Sequence, residues 1–185
     1  MMEEVNFNTV LLDLPSGGVD RTRPEDVMTI ANYSKPLTDY LASINFTVLL
    51  VGHDLGGAAV SYAMEMYPDK IEKAIFIQAV MPKDGETPGL LINGYKILAM
   101  KLLTDSPYSI LNEVMHLTKE NYGSVKRFYI TTNMDRFFPS EVQKHIYTQN
   151  PPKAKFVLKN GDHASFFSEA PYLFNMLRTI ANSQW

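Results

Sequence analysis

Apolar and polar positions alternate along this chain in two rhythms. The first is the short, continuous apolar run. Residues 46–51 (Phe-Thr-Val-Leu-Leu-Val) and 72–80, with Ala-Ile-Phe-Ile at their centre, have strand length and β-branched content. Such runs suit strands covered on both faces, as in a parallel sheet. Residues 125–132 and 155–159 read as strands as well. So do residues 6–12, which run into the turn cluster Asp13-Leu14-Pro15-Ser16-Gly17-Gly18.

The second rhythm is helical. Leu37, Tyr40, Leu41 and Ile44 recur at i, i+3, i+4, i+7 and predict one buried stripe. Ser34 is placed to cap that helix, with Pro36 tolerated near its start. A separate helix is expected over 25–33, with Pro24 in its first turn. Further helices are expected over 58–66, stopped by Tyr67-Pro68, and over 141–150, stopped by Pro151-Pro152. A last one covers 171–182, with Leu173, Met176, Leu177 and Ile180 on one face. Residues 81–121 break the alternation. They hold Pro82, Gly85, Pro88, Gly89 and Gly94 and one Leu- and Met-rich helical stretch, 95–103.

Strand and helix in turn predict an α/β fold, a mostly parallel sheet flanked by helices. The expected organisation is one domain over 1–185, with an excursion over about 82–121 lying above the sheet as a short helical cap. Composition fits a globular core: 45% of the residues are hydrophobic and 20% charged. The absence of cysteine excludes disulfides, thiolate metal sites and a cysteine nucleophile. A net charge of −3 gives no basic excess for nucleic acid, and no apolar run reaches the length of a membrane span. The N-terminus shows no charged or apolar leader character.

Ligand sites in open α/β folds lie beyond the carboxyl ends of the strands. Three polar residues fall there: Asp54, Asp135 and His163. Their order is that of a nucleophile, an acid and a base in an α/β-hydrolase. Gly52-His53-Asp54-Leu55-Gly56 fits the elbow pattern in which a nucleophile is flanked by small residues. Gly52 and Gly56 are expected to give the turn room, and Gly57 to let the helix approach the sheet. The backbone N–H of Leu55 would face the reacting centre as one oxyanion donor. The blander readings are a helix cap for Asp135, a loop histidine for His163 and a nucleotide-binding turn for the glycines. The last lacks the phosphate-binding Lys-Ser/Thr and the G-x-G-x-x-G spacing. His53, His116 and His145 read as structural or surface residues. Met64, Met66, Met81 and Met100 read as core or pocket wall.

Several stretches resemble the plant methylesterases, α/β-hydrolases related to the hydroxynitrile lyases. They are Leu12-Asp13-Leu14-Pro15-Ser16-Gly17-Gly18, Tyr33-Ser34-Lys35-Pro36-Leu37, the run from Val48 through Gly57, Ser61-Tyr62-Ala63-Met64-Glu65-Met66-Tyr67-Pro68, Glu120-Asn121-Tyr122-Gly123-Ser124-Val125 and Gly161-Asp162-His163. The resemblance is greatest to a subgroup with Asp at the elbow, some members of which carry chloroplast transit peptides.

The resemblance implies hydrolysis of small methyl esters, such as those of indole-3-acetate, jasmonate or salicylate. It places Asp54 as nucleophile, Asp135 as acid and His163 as base. It implies no cofactor and no metal, a small ester or acid as partner, and neither nucleic acid nor membrane. The chain departs from the family in three ways. Asp54 stands where Ser is usual; the early strands and the loop bearing the second oxyanion donor have no counterpart; and the cap is short. The missing third strand would leave unpaired edges, which admit association between copies of the chain. A carboxylate facing half an oxyanion hole predicts weak acyl chemistry. The alternatives are an Asp-nucleophile hydrolase of epoxides or alkyl halides, with Tyr95 or Tyr108 polarising the oxygen, and a non-catalytic pocket for a small acid or ester.

Overall fold

The computed structural model describes residues 7–92 and 107–185. Among the described residues, four parallel strands form one sheet in the order β1 (Val48–Asp54), β2 (Ile71–Ala79), β3 (Lys126–Thr132) and β4 (Ala154–Leu158). The helices are α1 (Ile30–Ser43), α2 (Gly56–Met66), α3 (Ser140–Gln149), the single turn α4 (Ser165–Ser168) and α5 (Ala170–Asn182). All four strands run the same way, so every strand's carboxyl end lies along one rim of the sheet.

The two faces of the sheet are covered unequally. Leu37 and Leu41 of α1, Ala59, Ala63 and Met64 of α2, and Val142 and Ile146 of α3 pack with Phe76 and Tyr129 in one core. On the other face, Leu173 and Ile180 of α5 meet Ile75, Ile77, Phe128 and Ile130. These faces account for the long apolar runs of β2 and β3, since a strand sandwiched between helices has no polar side to show. Lys73 and Gln78 are the buried polar residues of β2, the first of them charged. The buried ammonium of Lys73 donates to carbonyls at the end of α5, Ala181 (2.9 Å) and Ser183 (2.8 Å). A cation at a helix C-terminus is favourably placed.

Five sequence expectations are corrected. Residues 7–12 form no strand; their side chains are mostly exposed, Leu11 by 91%. An apolar run becomes a strand only when its backbone finds a partner, and none of the described strands pairs with this segment. The strand over 46–51 is not covered on both faces. It starts two residues later and forms the edge of the described sheet, with Val51 45% exposed. The two helices expected around residues 25–44 are a 3-10 turn at Pro24–Asp26 and one α-helix. Thr29, not Ser34, is the cap: its Oγ1 accepts the N–H of Asn32 at 3.1 Å. Ser34 is buried in the second turn, and Pro36 lies inside the helix. Among the methionines, Met64 and Met81 are core but Met66 is exposed.

The remaining strands and helices fall within one or two residues of their expected bounds. The turn at Asp13–Gly18 is present, with Ser16 and Gly18 at positive φ. The ends of the excursion after β2 are tied together. Gly85 N–H donates to Met115 C=O and Met115 N–H to Glu86 C=O, both at 2.9 Å. The helix expected over 95–103, together with Tyr95 and Met100, lies outside the described residues.

Candidate active site

Asp54 ends β1 in a strained turn. Its φ is +50°, a left-handed conformation that L-residues other than Gly adopt only at a cost. The neighbouring strand shares the distortion. The register jumps from His53 opposite Ile77 to Asp54 opposite Ala79, so Gln78 is an extra residue, with φ +40°. Such a bulge bends the strand and re-aims the residues beyond it. Val80 N–H then donates to Asp54 C=O at 3.0 Å and closes the turn.

The glycines divide the work differently from expectation. A Cβ on Gly52 would lie 2.9 Å from Val60 Cγ2 and 3.0 Å from Gly56 O, and one on Gly57 would lie 2.1 Å from Val80 O. Gly52 and Gly57 therefore admit no side chain without movement. A Cβ on Gly56 would meet nothing within 4 Å, so Gly56 supplies a bare backbone beside open space and not clearance. Leu55 caps α2 with its side chain buried, and its carbonyl accepts Ala58 N–H at 2.9 Å.

Asp135 lies three residues beyond β3, with its side chain wholly buried. Its Oδ1 accepts the N–H groups of Phe137 and Phe138, both at 2.7 Å. Its Oδ2 accepts Nδ1–H of His163 at 2.9 Å. Gln143 of α3 braces this loop from below. Its Oε1 accepts Thr132 N–H (3.0 Å), and its Nε2 donates to the carbonyls of Thr132 (3.1 Å) and Phe138 (2.6 Å). A glutamine bonded at both ends fixes where the strand stops and where Asp135 begins.

His163 follows β4, and its Nε2 stands 3.6 Å from Asp54 Oδ2. The imidazole thus bridges the two aspartates that the chain order singled out. Burial by itself lowers the pKa of His163, but the hydrogen bonds and charges of Asp135 and Asp54 outweigh it and raise the value to about 9. The ring is an imidazolium at neutral pH. Phe137 lies 4.6 Å from it, centroid to centroid, and restricts its access to water.

Sequence reasoning missed three supporting residues. Gln143 carries no signal in a helix pattern. Tyr129, within a buried strand, donates from its hydroxyl to Ala79 C=O at 2.8 Å and ties β3 to the end of β2. His53, read as structural or surface, places its Nε2 2.8 Å from the carbonyl oxygen of His163. Only its place beside the elbow residue could have marked it.

Beside the elbow a groove of about 720 Å³ runs along the open edge of β1. Residues 7–12 form one wall, and Leu49, Val51, Gly52 and His53 the other.

This sheet, with a strained acidic elbow and an Asp–His pair at its carboxyl rim, has the α/β-hydrolase fold. A crystal structure of an Arabidopsis methylesterase superposes with a TM-score of 0.82 at 27% identity, covering 97% of this chain and 89% of that one. The homologues of this chain are the plant methylesterases. An Arabidopsis thaliana protein provisionally named methylesterase 13, of the chloroplast, is 32% identical over 228 aligned positions. The match covers 98% of this chain and 51% of that protein, so the chain spans about half its length. Methylesterase 3 of the same plant is 28% identical, with 98% of this chain and 88% of the relative covered. These alignments run over more positions than this chain has residues, so the relatives hold internal stretches without a counterpart here. No protein-family profile matches the chain.

Proposed function

We propose that the chain hydrolyses small methyl esters, of the indole-3-acetate, jasmonate or salicylate type, with Asp54 as nucleophile, His163 as proton carrier and Asp135 as its fixed partner. One observation carries this reading: the imidazole of His163 is held at 2.9 Å by Asp135 and faces Asp54 at 3.6 Å, on the rim where the strands end. The homologues named as methylesterases support the substrate class.

The charge state suits a carboxylate nucleophile. A serine would need a neutral histidine to accept its proton. A carboxylate has no proton to give, and its partner can begin as an acid. Asp54 attacks the ester carbonyl while the His163 imidazolium protonates the departing methoxide, so methanol leaves and a mixed anhydride remains. The N–H of Leu55, at the head of α2, serves the developing oxyanion. Acylation removes one of the two charges that held the proton on His163. The now neutral ring takes a proton from water, and the hydroxide formed cleaves the anhydride at the substrate's acyl carbon, expelling the Asp54 carboxylate. The acid is released, and the Asp54 carboxylate and His163 imidazolium are restored.

A second reading is favoured by one observation, the carboxylate at the elbow. Attack of Asp54 on a saturated carbon, as in an epoxide or alkyl halide, gives an alkyl ester that water then cleaves at the Asp54 carbonyl. Repeated turnover in heavy-oxygen water separates the routes: alkyl attack leaves label in the Asp54 carboxylate, and an unlabelled Asp54 removes that reading. The parent proposal is tested by methanol release from a panel of methyl esters. We expect Asp54→Ala and His163→Ala to abolish it; full turnover by Asp54→Ala would overturn the assignment.

A further inference from the structure

We propose that His53 is a positioning residue: from the edge strand it holds the backbone carbonyl of His163, and so sets where the imidazole stands between Asp54 and Asp135. The inference rests on the function proposed above for its meaning in catalysis, but its geometry stands alone.

A carbonyl oxygen only accepts, so the 2.8 Å contact from His53 Nε2 requires a hydrogen on that nitrogen. The ring is held on further sides. It lies 4.6 Å from the His163 ring, tilted by 49°, and 5.3 Å from Phe166, edge-on at 87°. The charged groups facing it are His163, Asp54 and Asp135. Burial, and then the neighbouring His163, lower its pKa, and the two aspartates only partly oppose them. His53 is therefore neutral beside a charged His163, with its proton on Nε2.

The loop that carries His163 has other fastenings. Gly161 C=O accepts Met134 N–H at 3.1 Å, and Ser165 Oγ donates to Gln78 Oε1 at 3.2 Å. These lie two residues either side of His163. Only His53 grips the backbone of His163 itself, among the described contacts. It does so from the residue next to Asp54. One short side chain thereby couples the position of the elbow to that of the base loop, and the two reacting groups keep their distance.

The test reads the His163 ring directly, by titration of its imidazole signals in nuclear magnetic resonance. His53→Leu fills similar space without a donor; His53→Gln restores an N–H at comparable reach. We expect wild type and His53→Gln to titrate near the same high value. We expect His53→Leu to fall by about one pH unit or more, because a released imidazole leaves its carboxylates. An unchanged titration in a folded His53→Leu overturns the proposal. Should that variant not fold, the wild-type protein decides. A hydrogen on His53 Nε2, seen in the nitrogen shifts of the ring, supports the clamp, and a bare Nε2 overturns it. Where an ester is turned over, His53→Leu should lower kcat with KM held within about twofold; a raised KM at unchanged kcat counts against positioning. A protein that turns nothing over yet shows these titrations loses the proposed function and keeps the clamp.

Discussion

The two flanks of the sheet were built from the same kind of sequence and ended differently. On one flank β2 and β3 pair in register with their apolar runs enclosed between helices, and β4 pairs with β3 as the far edge. The loops at their ends carry Asp135 and His163, with Gln143 and Tyr129 bonding the backbone that supports them. On the other flank β1 pairs only with β2 among the described strands, and its outer edge borders the groove. Residues 7–12, as apolar as any strand, run past it across a groove without pairing. The difference shows that hydrophobic pattern proposes a strand and backbone pairing decides it. The catalytic candidates straddle the boundary: Asp54 belongs to the open flank, and its two partners to the closed one.

The closed flank should fail most severely when its buried carboxylate is removed. Asp135→Ala leaves the N–H groups of Phe137 and Phe138 without their acceptor and the His163 imidazolium without its buried partner. Breaking a buried pair from one side costs about 3–5 kcal/mol, and we expect a loss of that size in urea unfolding. A loss under 1 kcal/mol would show that the flank is not held together by this carboxylate. At the junction of the flanks, Gly57→Ala drives a methyl group into Val80 O. Overpacking of this kind costs about 1–3 kcal/mol, and the melting temperature should drop accordingly.

A pH series separates the flanks, with one variant as its control. His163 binds its proton more tightly folded than unfolded, because its value is raised from the ordinary 6.5 to about 9. The folded state therefore holds more protons than the unfolded one between these values, and stability falls as pH rises through that window. The contribution is complete below pH 6.5 and gone above about 9. We expect this alkaline loss in denaturant midpoints measured from pH 6 to 10, and its absence in His163→Ala. His53 acts in the opposite sense. Its pKa is lowered, so charging it destabilises the fold on the acid side of its ordinary range.

Chain order and strand ends were enough to single out Asp54, Asp135 and His163, because a parallel sheet brings all its carboxyl ends to one rim. The elbow was legible for a related reason: a glycine whose added Cβ would fall 2.9 Å from Val60 Cγ2 leaves a mark in the sequence. What stayed hidden depends on contacts between distant residues. Gln143 braces Thr132 from eleven positions away, and His53 reaches His163 across 110. A helix pattern cannot show the first, nor a strand pattern the second. Residues 7–12 of the strand expected over 6–12 find no neighbour among the described strands, and no local window contains that information.

The smallest effect should come from the open flank, and it sharpens the comparison most. Leu11 and Ile130 are both branched aliphatic residues in apolar runs. Ile130 is fully buried in β3, whereas Leu11 is 91% exposed beside the groove. Ile130→Ala removes methyl groups from a packed core, for which about 2–5 kcal/mol is usual. Leu11→Ser removes a side chain that touches mainly water, and a change within about 0.5 kcal/mol is expected. Unfolding of the two variants side by side in urea checks this. If Leu11→Ser destabilised the protein as much as Ile130→Ala, the segment would have to be paired in solution, and the open flank would be closed after all. Equal stability with less light scattering by the serine variant would instead fit an exposed apolar strip that is unpartnered in the folded chain.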